Sequence, residues 1–157
     1  MGNKEQTLVL IKPDGIIKSL VGNILTEFSE TKLKIVGAKV VNVPRELAEK
    51  HYENLKETKP DLFEEIIDYI RGKHHNTPRV IALIYEGKDA VEKIRKICGD
   101  TNPEKAHPVS LRGKYGRINT TTGVMENVVH ASDTIENAIR EIGLWFKPEE
   151  IASDDFE

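Results

Sequence analysis

Short apolar runs and amphipathic stretches alternate along the chain. The runs TLVLI (7–11), LKIVGAKVVNV (33–43) and RVIALIYEG (79–87) are rich in branched apolar residues and lie next to glycine or proline, which predicts three strands. A fourth, short strand is predicted at NVV (127–129). Apolar residues recur at helical spacing in the remaining periodic segments, which are 19–28, 45–57, 62–71, 89–99 and the stretch after Asp133.

Several residues predict where these helices begin and end. Ser19 is placed to cap the first helix, and Gly99 is placed to end the fourth. Asp133 and Glu136 predict a capping box at the start of the last helix. The apolar stripe predicted for that helix consists of Ile135, Ala138, Ile139 and Ile142.

The order of these elements predicts the fold class. Strands keep returning through helices in the order β-α-β-(αα)-β-α-loop-β-α, and the four strands fall into two βαβ-like halves. This order favours an α+β fold, a ferredoxin-like split βαβ sandwich with a four-stranded antiparallel sheet and helices packed on it. A small, doubly wound flavodoxin-like fold is the alternative. The length of 157 residues predicts a single domain that spans 1–157.

Composition and charge argue against several classes of protein. The chain has 38% hydrophobic residues, and no apolar run approaches the roughly 20 residues that a membrane span needs. A formal net charge of −3 argues against nucleic acid as the primary partner. The first apolar run is short and meets Lys12 and Pro13, so no secretory signal is predicted. The single cysteine, Cys98, is expected to be packed in a helix, and a cytoplasmic location is expected.

Familiar phosphate and metal motifs are absent from the sequence. It contains neither G-x-x-x-x-G-K-[ST] nor G-x-G-x-x-G. Its histidines give no zinc spacing apart from the adjacent pair His74 and His75, which is interpreted as part of a solvated loop. No cluster of carboxylates predicts a magnesium cage. We therefore expect no metal site built by the protein alone, and any Mg²⁺ would arrive with phosphates.

One histidine lies where a predicted strand meets a predicted helix. In NVVHASD (127–133) the valines favour a buried strand, Ser132 and Asp133 are typical of a helix start, and His130 lies between them. A ring at such a junction points into a crevice where helix N–H groups attract anions, so phosphate is the expected ligand. The positive end of the helix would keep the ring neutral and nucleophilic. From the spacing alone, a packed or capping histidine is an equal alternative.

Three cations are candidates to accompany a phosphate. Lys12 follows the first strand, Arg95 lies on a predicted helix, and Arg112 lies in the segment 99–126. Each is best interpreted singly as a surface charge, but together they favour an anion site, and the planar guanidinium suits phosphate. The segment 99–126 has no clear period and is predicted to be a long functional or disordered loop.

Five strings, taken together, resemble a known family. IKPDG (11–15), HYENL (51–55), GDTNPEKAHPVSLRG (99–113), NVVHASD (127–133) and EIGLWFKPEE (141–150) resemble nucleoside diphosphate kinase, in the same order and across nearly the whole chain. The resemblance implies ping-pong transfer of the γ-phosphoryl group of a nucleoside triphosphate, such as ATP, to a nucleoside diphosphate through a phosphohistidine. It also implies a four-stranded ferredoxin-like domain, Mg²⁺ carried by the nucleotide phosphates, and a homo-hexamer.

The resemblance implies a role for individual residues. His130 matches the nucleophile, Glu141 the carboxylate that holds the other ring nitrogen, and Ser132 a serine near them. Periodicity alone would place Glu141 on a solvated helix face. Lys12 is expected to serve catalysis as well as binding. The residues implied to contact the phosphates and ribose or to border the nucleophile are Lys12, Tyr52, Arg95, Thr101, Arg112 and Asn127.

The residue that covers the base departs from the family pattern. The family stacks the base on a phenylalanine, whereas the register here puts Leu62 at that position and Phe63 beside it. Either residue is a candidate, and Phe63 could equally belong to the core. Because stacking tolerates any base, low base selectivity is expected. The segment between Arg112 and Asn127 is several residues longer than usual, so subunit contacts are expected to differ in detail.

Two rival functions come from other classes. One is a nucleotide-sensing module that keeps the fold without turnover, and the complete set of His130, Glu141 and Lys12 argues against it. The other is a nucleic-acid-binding protein. The net charge of −3 and the lack of basic stripes with interleaved aromatic residues argue against this second rival.

Overall fold

The computed structural model describes residues 4–156, in which helices and strands are interspersed along the chain. The elements are β1 (Lys4–Ile11), α1 (Pro13–Ile17), α2 (Val21–Ser29), β2 (Lys34–Val41), α3 (Arg45–His51), α4 (Glu53–Thr58), α5 (Pro60–Ile70), β3 (Val80–Lys88), α6 (Ala90–Cys98), α7 (Leu111–Tyr115), β4 (Arg117–Ile118), β5 (Met125–Glu126), β6 (Val129–Ala131) and α8 (Ile135–Trp145). Short 3-10 turns lie at Lys73–His75 and Pro148–Glu150. Within the described range, no helix combines the length and the apolar character needed to cross a bilayer.

Four strands form one sheet in the order β2-β3-β1-β6. Strand β1 pairs antiparallel with both β3 and β6, and β2 pairs antiparallel with β3. This arrangement confirms the predicted α+β, ferredoxin-like split βαβ fold with helices packed on an antiparallel sheet. The flavodoxin-like alternative is wrong, because a doubly wound fold requires mostly parallel strands.

Strand β1 is buried on both of its faces. Leu8 and Leu10 pack against helices α5 and α8, whereas Val9 and Ile11 pack against α2 and α6. Successive side chains of a strand point to opposite faces, so a strand that is covered on both sides needs apolar residues at every position. This double burial explains why TLVLI is a continuous apolar run and shows no alternation.

Two predicted helix caps are wrong by one residue. Ser19 has a left-handed backbone with φ of 58°, and Leu20 stands at the N-cap of α2. The capping box predicted from Asp133 does not form, because Thr134 is the N-cap of α8 and its Oγ1 accepts a hydrogen bond from the backbone N–H of Asn137 at 3.0 Å. The left-handed backbone of Ser19 differs from the extended conformation that is typical of an N-cap, whereas at α8 the adjacent polar residues Asp133 and Thr134 compete for the cap position.

Helix α8 buries two residues of the predicted stripe, Ala138 and Ile142, and leaves the other two exposed. Ile135 and Ile139 are 51% and 69% exposed, contrary to expectation. The buried residues of the helix are Ala138, Glu141, Ile142 and Trp145. The helix is therefore rotated so that Glu141 faces the sheet, and a carboxylate enters the interior at this point.

The segment 99–126 is more ordered than the predicted loop. Gly99 ends α6 as predicted, and α7 follows with Ser110 as its N-cap, whose Oγ accepts a hydrogen bond from the N–H of Gly113. Strands β4 and β5 then form a small antiparallel hairpin. Because α7 packs its first turn inward, Arg112 is only 6% exposed.

A buried carboxylate fastens this hairpin to the rest of the molecule. Glu126 is 1% exposed, and it accepts hydrogen bonds from Arg117 Nε at 3.0 Å and Asn119 Nδ2 at 2.8 Å. Nε2 of His75 lies 3.1 Å from the same carboxylate. Of the adjacent histidines His74 and His75, only His74 is exposed. Burial raises the pKa of Glu126, but the hydrogen bonds from Asn119, Arg117 and His75 outweigh it and lower the pKa to about 2. The carboxylate therefore stays ionised and holds the hairpin.

Candidate active site

His130 lies inside β6 and not at the end of a strand. It pairs with Leu10 of β1, and β6 covers 129–131 where the sequence predicted 127–129. Its side chain is 17% exposed and lines a cleft of about 420 Å³. His130 precedes α8 as predicted, but residues 132–134 separate β6 from that helix. The hydrogen bond of the ring goes to Glu141 within α8 and not to the first turn of the helix.

The ring of His130 is held at one nitrogen. Its Nε2 lies 2.9 Å from Oε1 of Glu141, and Oγ of Ser132 donates a hydrogen bond to the same carboxylate oxygen at 2.7 Å. Glu141 is 5% exposed and Ser132 is fully buried, so these donors replace water around the carboxylate. A carboxylate only accepts hydrogen bonds, so this contact requires the Nε2–H tautomer, in which Nδ1 has the lone pair.

Lys12 and Asn127 form a second polar pair in the cleft. The ammonium of Lys12 donates to Oδ1 of Asn127 at 2.7 Å and lies 4.9 Å from the centre of the Tyr69 ring. Nδ2 of Asn127 in turn donates to the carbonyl oxygen of Thr101 at 3.1 Å. Burial, followed by the charge of Arg112, lowers the pKa of Lys12 to about 7. Positive charge is therefore crowded at this point, which favours an anionic ligand.

Arg112 reaches the cleft from α7. Its guanidinium donates to the carbonyl oxygens of Gly99 and Val129, both at 2.9 Å. Burial lowers the pKa of Arg112, but a guanidinium keeps its charge at physiological pH. Nε is buried and has no partner within residues 4–156. The arginine therefore ties the segment after α6 to β6. Its guanidinium, beside the cleft, has no carboxylate partner among the residues that the structure describes.

A buried network shapes the backbone just before β6. Asp14 is fully buried and accepts hydrogen bonds from the hydroxyl of Tyr69 at 2.6 Å and from the backbone N–H of Val128 at 3.1 Å. The Tyr69 oxygen also accepts from the N–H of Asn127 at 3.1 Å. Val128 has φ of 59°, which is rare for a branched residue, and these bonds help to hold it there. Sequence reasoning missed this network, because KPDG signalled only a turn.

The carboxyl end of α3 places the ring of His51 next to His130, and Tyr52 follows it in the chain. The ring centre of His51 lies 4.4 Å from that of His130 and 4.6 Å from that of Tyr52. Burial, followed by His130, lowers the pKa of His51 well below its usual value of 6.5. Burial, followed by Glu141, raises the pKa of Tyr52. Both rings are therefore uncharged at neutral pH, and His51 is a neighbour of the site that the sequence did not reveal.

The outer part of the cleft is formed by α5 and α6. Arg95 and Thr101 are exposed and line it. Leu62 also lines it and is 47% exposed. Phe63 is 6% exposed and packs in the core, so its ring does not face the cleft. Adjacent residues of a helix point about 100° apart, so only one of the two can face the cleft.

Most of the predicted site residues meet in this cleft. Ser132 and Phe63 are the exceptions, since Ser132 lies behind Glu141 and Phe63 lies in the core. Arg140 lines the cleft as well, although the sequence did not single it out. The predicted residues that line the cleft are Lys12, Tyr52, Leu62, Arg95, Thr101, Arg112, Asn127, His130 and Glu141.

The donor set of the cleft fits a polyphosphate and not a resident metal ion. Glu141 is already engaged by His130 and Ser132. One ligand atom each of His51, His130 and Glu141 lies within 4.8 Å of the others, but Mg²⁺ prefers oxygen ligands and two of these are nitrogens. Trp145 also donates to Nδ1 of His51 at 3.0 Å, which occupies that nitrogen. These three residues are therefore a poor set of ligands for Mg²⁺.

A broader groove of about 770 Å³ lies beside the cleft and shares Arg95 with it. Its lining includes the acidic residues Glu5, Asp89, Glu92 and Asp100. The negative charges of these carboxylates repel a polyphosphate, so this groove is a poorer anion site than the cleft.

The sequence is similar to known proteins over nearly its whole length. A family model described as nucleoside diphosphate kinase matches residues 5–151. The nucleoside diphosphate kinase of Pyrococcus furiosus is 48% identical over 151 residues, which cover 96% of this chain and 88% of that protein. That of Staphylococcus haemolyticus is 44% identical over 149 residues, which cover 95% of this chain and 92% of that protein.

Solved structures share the same fold. A transition state mimic of the Borrelia burgdorferi nucleoside diphosphate kinase, with bound vanadate and ADP, has a TM-score of 0.85 at 31% identity, with 98% of this chain and 94% of that chain covered. The Aquifex aeolicus nucleoside diphosphate kinase has a TM-score of 0.82 at 31% identity, with 96% and 100% covered. Sequence, fold and cleft agree, and the chain belongs to the nucleoside diphosphate kinase family of phosphotransferase enzymes.

Proposed function

We propose that the enzyme transfers the γ-phosphoryl group of a nucleoside triphosphate, ATP included, to a nucleoside diphosphate through a phosphohistidine on His130. The observation that carries the proposal is the 2.9 Å contact between Nε2 of His130 and Glu141. A carboxylate at this distance favours the tautomer with the proton on Nε2, which gives Nδ1 the lone pair that a nucleophile needs. The relative from Borrelia burgdorferi, solved with vanadate and ADP as a transition state mimic, supports the same chemistry here.

The reaction consists of two half-reactions at one site. In the first, Nδ1 of His130 attacks the γ-phosphorus, a bond between nitrogen and phosphorus forms, and the departing nucleoside diphosphate keeps the electron pair of the broken phosphorus–oxygen bond. Glu141 keeps its hydrogen bond to Nε2 and offsets the positive charge that develops on the ring. In the second, a terminal oxygen of another nucleoside diphosphate attacks the phosphorus and the ring regains its lone pair. Donor and acceptor bind in turn, which gives ping-pong kinetics.

The cations around the cleft are proposed to hold the moving phosphate. Phosphoryl transfer spreads charge over the outer oxygens, so fixed cations and donors supply most of the catalysis. We assign Lys12 and Arg112, which are both buried, to the phosphoryl group, and the exposed Arg95 to the phosphates that stay on the leaving nucleotide. Mg²⁺, when bound by the phosphate oxygens, neutralises part of their charge. Residues proposed to complete the contacts to sugar and phosphates or to border the nucleophile are Tyr52, Thr101, Asn127 and Ser132.

The direct test of this function detects a labelled phosphoryl group on the protein. Incubation of the protein with γ-labelled ATP is expected to give a protein-bound label that acid removes and alkali does not. After ATP is removed, added GDP or CDP is expected to take up the label. If no label appears on a protein that still binds ATP, the chain is a nucleotide-binding module without turnover.

The buried position of Lys12 predicts that ADP binding takes up a proton. Burial lowers the pKa of Lys12 to about 7 in the free enzyme, so at pH 8 most of the lysine is neutral, and bound phosphates favour its charged form. ADP binding at pH 8 is therefore expected to take up about one proton. Calorimetry in two buffers of different ionisation enthalpy measures this uptake. Lys12→Arg, which stays charged, should lose it, and no uptake by the wild-type enzyme would contradict the assignment.

A leucine at position 62 makes only a weak contact to the base, so an aromatic ring at this position should strengthen nucleotide binding. Leu62→Phe is expected to lower the dissociation constant of ADP roughly 2- to 12-fold, because an aromatic pair adds about 0.5–1.5 kcal/mol. All four common bases should gain, since stacking is tolerant. Equilibrium titration with ADP, GDP, CDP and UDP measures the change, and Leu62→Ala serves as the small-residue control. Unchanged affinity in the phenylalanine variant would mean that the base binds elsewhere.

We also propose that the protein acts in the cytoplasm and assembles as a homo-hexamer, as its family resemblance implies. Strand β2 is an edge of the four-stranded sheet among the described residues. Ile35 and Val40 on this strand are 48% and 65% exposed, and apolar edges of this kind are typical of contacts between copies of a chain. With a net charge of −3, nucleic acid is not proposed as a primary partner.

A further inference from the structure

Helix α3 ends in a buried histidine that the phosphate chemistry described above does not use. His51 is 3% exposed, and its Nδ1 accepts a hydrogen bond from Nε1 of Trp145 at 3.0 Å. An indole nitrogen can only donate, so the proton of the neutral His51 ring lies on Nε2. That Nε2 is buried and has no partner in the part of the chain that the structure describes. A buried N–H without a partner is destabilising, so the stability of the fold alone does not explain this ring.

Helix α8 fixes His51 in two ways. Trp145 holds the ring, and the guanidinium of Arg140 donates to the backbone carbonyl oxygens of Lys50 at 3.1 Å and His51 at 3.3 Å. These carbonyls lie at the carboxyl end of α3, where an arginine satisfies groups that the helix leaves open. The same helix α8 carries Glu141. Helix α8 therefore positions both Glu141, which holds His130, and the ring of His51, which lies beside His130.

The ring of His51 meets the ring of His130 edge to face. The ring centres are 4.4 Å apart and the planes are inclined by 76°. Glu141 fixes only one atom of His130, Nε2, and a single hydrogen bond does not fix the plane of a ring. A flat, immobile neighbour restricts the rotation that remains. Because burial keeps the pKa of His51 low, this neighbour adds no positive charge beside a ring that becomes more positive during transfer.

We propose that His51 is a positioning residue, whose uncharged ring packs against His130 and keeps Nδ1 aligned with the incoming phosphorus. The inference rests on the proposed function, since it requires His130 to be the nucleophile. His51 acts through His130 and makes no contact with the nucleotide in this scheme. Its removal should therefore slow the chemical step and leave nucleotide binding nearly unchanged.

Two variants separate the ring contact from the Trp145 hydrogen bond. His51→Phe and His51→Leu both remove the acceptor for Trp145, so we expect both to lose thermal stability to a similar extent. Only the phenylalanine keeps a flat ring against His130. The leucine variant is expected to lose about 10- to 100-fold in kcat with little change in KM, and the phenylalanine variant should stay about tenfold above it. His51→Asn, which offers Trp145 an oxygen but has no ring, should lose kcat as leucine does, and it replaces leucine if that variant does not fold.

Two results would overturn this role for His51. One is an equal kcat in the phenylalanine and leucine variants, because activity would then follow stability and not the ring. The other is a normal kcat in the asparagine variant. Protein-bound phosphate is measured on the wild-type enzyme in the same series. Absence of that phosphate would refute the phosphohistidine itself, whereas its presence together with either result above would refute only the positioning role.

Discussion

Replacing His130 with alanine is expected to abolish phosphoryl exchange, with kcat lower by at least about a thousandfold. The variant removes the only atom, Nδ1, that the proposed mechanism uses to accept the phosphoryl group, and no other route forms the covalent intermediate. ADP binding should change little, because Lys12, Arg112 and Asn127 remain in the cleft. Steady-state exchange between ATP and a second nucleoside diphosphate measures the loss.

A matched histidine makes this experiment specific. His74 is exposed and does not line the cleft, so His74→Ala should keep full activity. Thermal melting and ADP titration of the His130→Ala protein check that the fold and the cleft survive. If exchange persists at more than a trace level in that folded variant, another group carries the phosphate.

Replacing Arg112 with alanine is expected to have the second largest effect. A charge-assisted contact to phosphate contributes about 1.5–3 kcal/mol, so the dissociation constant of ADP should rise roughly 10- to 150-fold. Phosphorylation by ATP in a single turnover should slow as well. The variant should also melt at a lower temperature, because the carbonyls of Gly99 and Val129 lose their donors.

Two further arginine variants serve as controls for this result. Arg112→Lys keeps the charge but loses the planar fork, so intermediate affinity is expected. Arg45 is an exposed arginine paired with Glu49 and Glu64 and does not line the cleft, so Arg45→Ala should bind ADP normally. Normal ADP affinity and normal transfer in Arg112→Ala would exclude Arg112 from the site.

The sheet was predictable because its strands are covered on both faces. Double burial makes β1 and β3 continuous apolar runs, and such runs stand out in a sequence. Helix α1 and the hairpin of β4 and β5 were not predicted. Both are short, and their positions depend on single buried carboxylates, Asp14 and Glu126, whose partners are distant in the chain. No local pattern indicates such a pairing.

The candidate site was predictable to a different degree for each residue. His130 stood out locally, whereas Glu141 required the family resemblance, because helix periodicity alone places it on the solvated face. The rotation of α8 that buries Glu141 is set by packing against the sheet. His51 and Trp145 were missed for a related reason, since their hydrogen bond joins residues that are 94 positions apart.

Alignment with the family pattern does not distinguish Leu62 from Phe63 as the residue that faces the cleft. The two residues are adjacent on α5, and both are apolar, so the sequence allowed either to face the nucleotide. Helix α5 turns Phe63 into the core and leaves Leu62 on the side of the cleft. Packing over many residues, and not the motif, determines which side chain faces the cleft.

The most direct measurement of the central claim is the location of the phosphate in the phosphorylated enzyme. NMR correlation between phosphorus and the imidazole ring protons distinguishes the two ring nitrogens of His130. We predict one phosphate on Nδ1 of His130, which disappears when any nucleoside diphosphate is added. A phosphate on Nε2, or on a residue other than His130, would contradict this account.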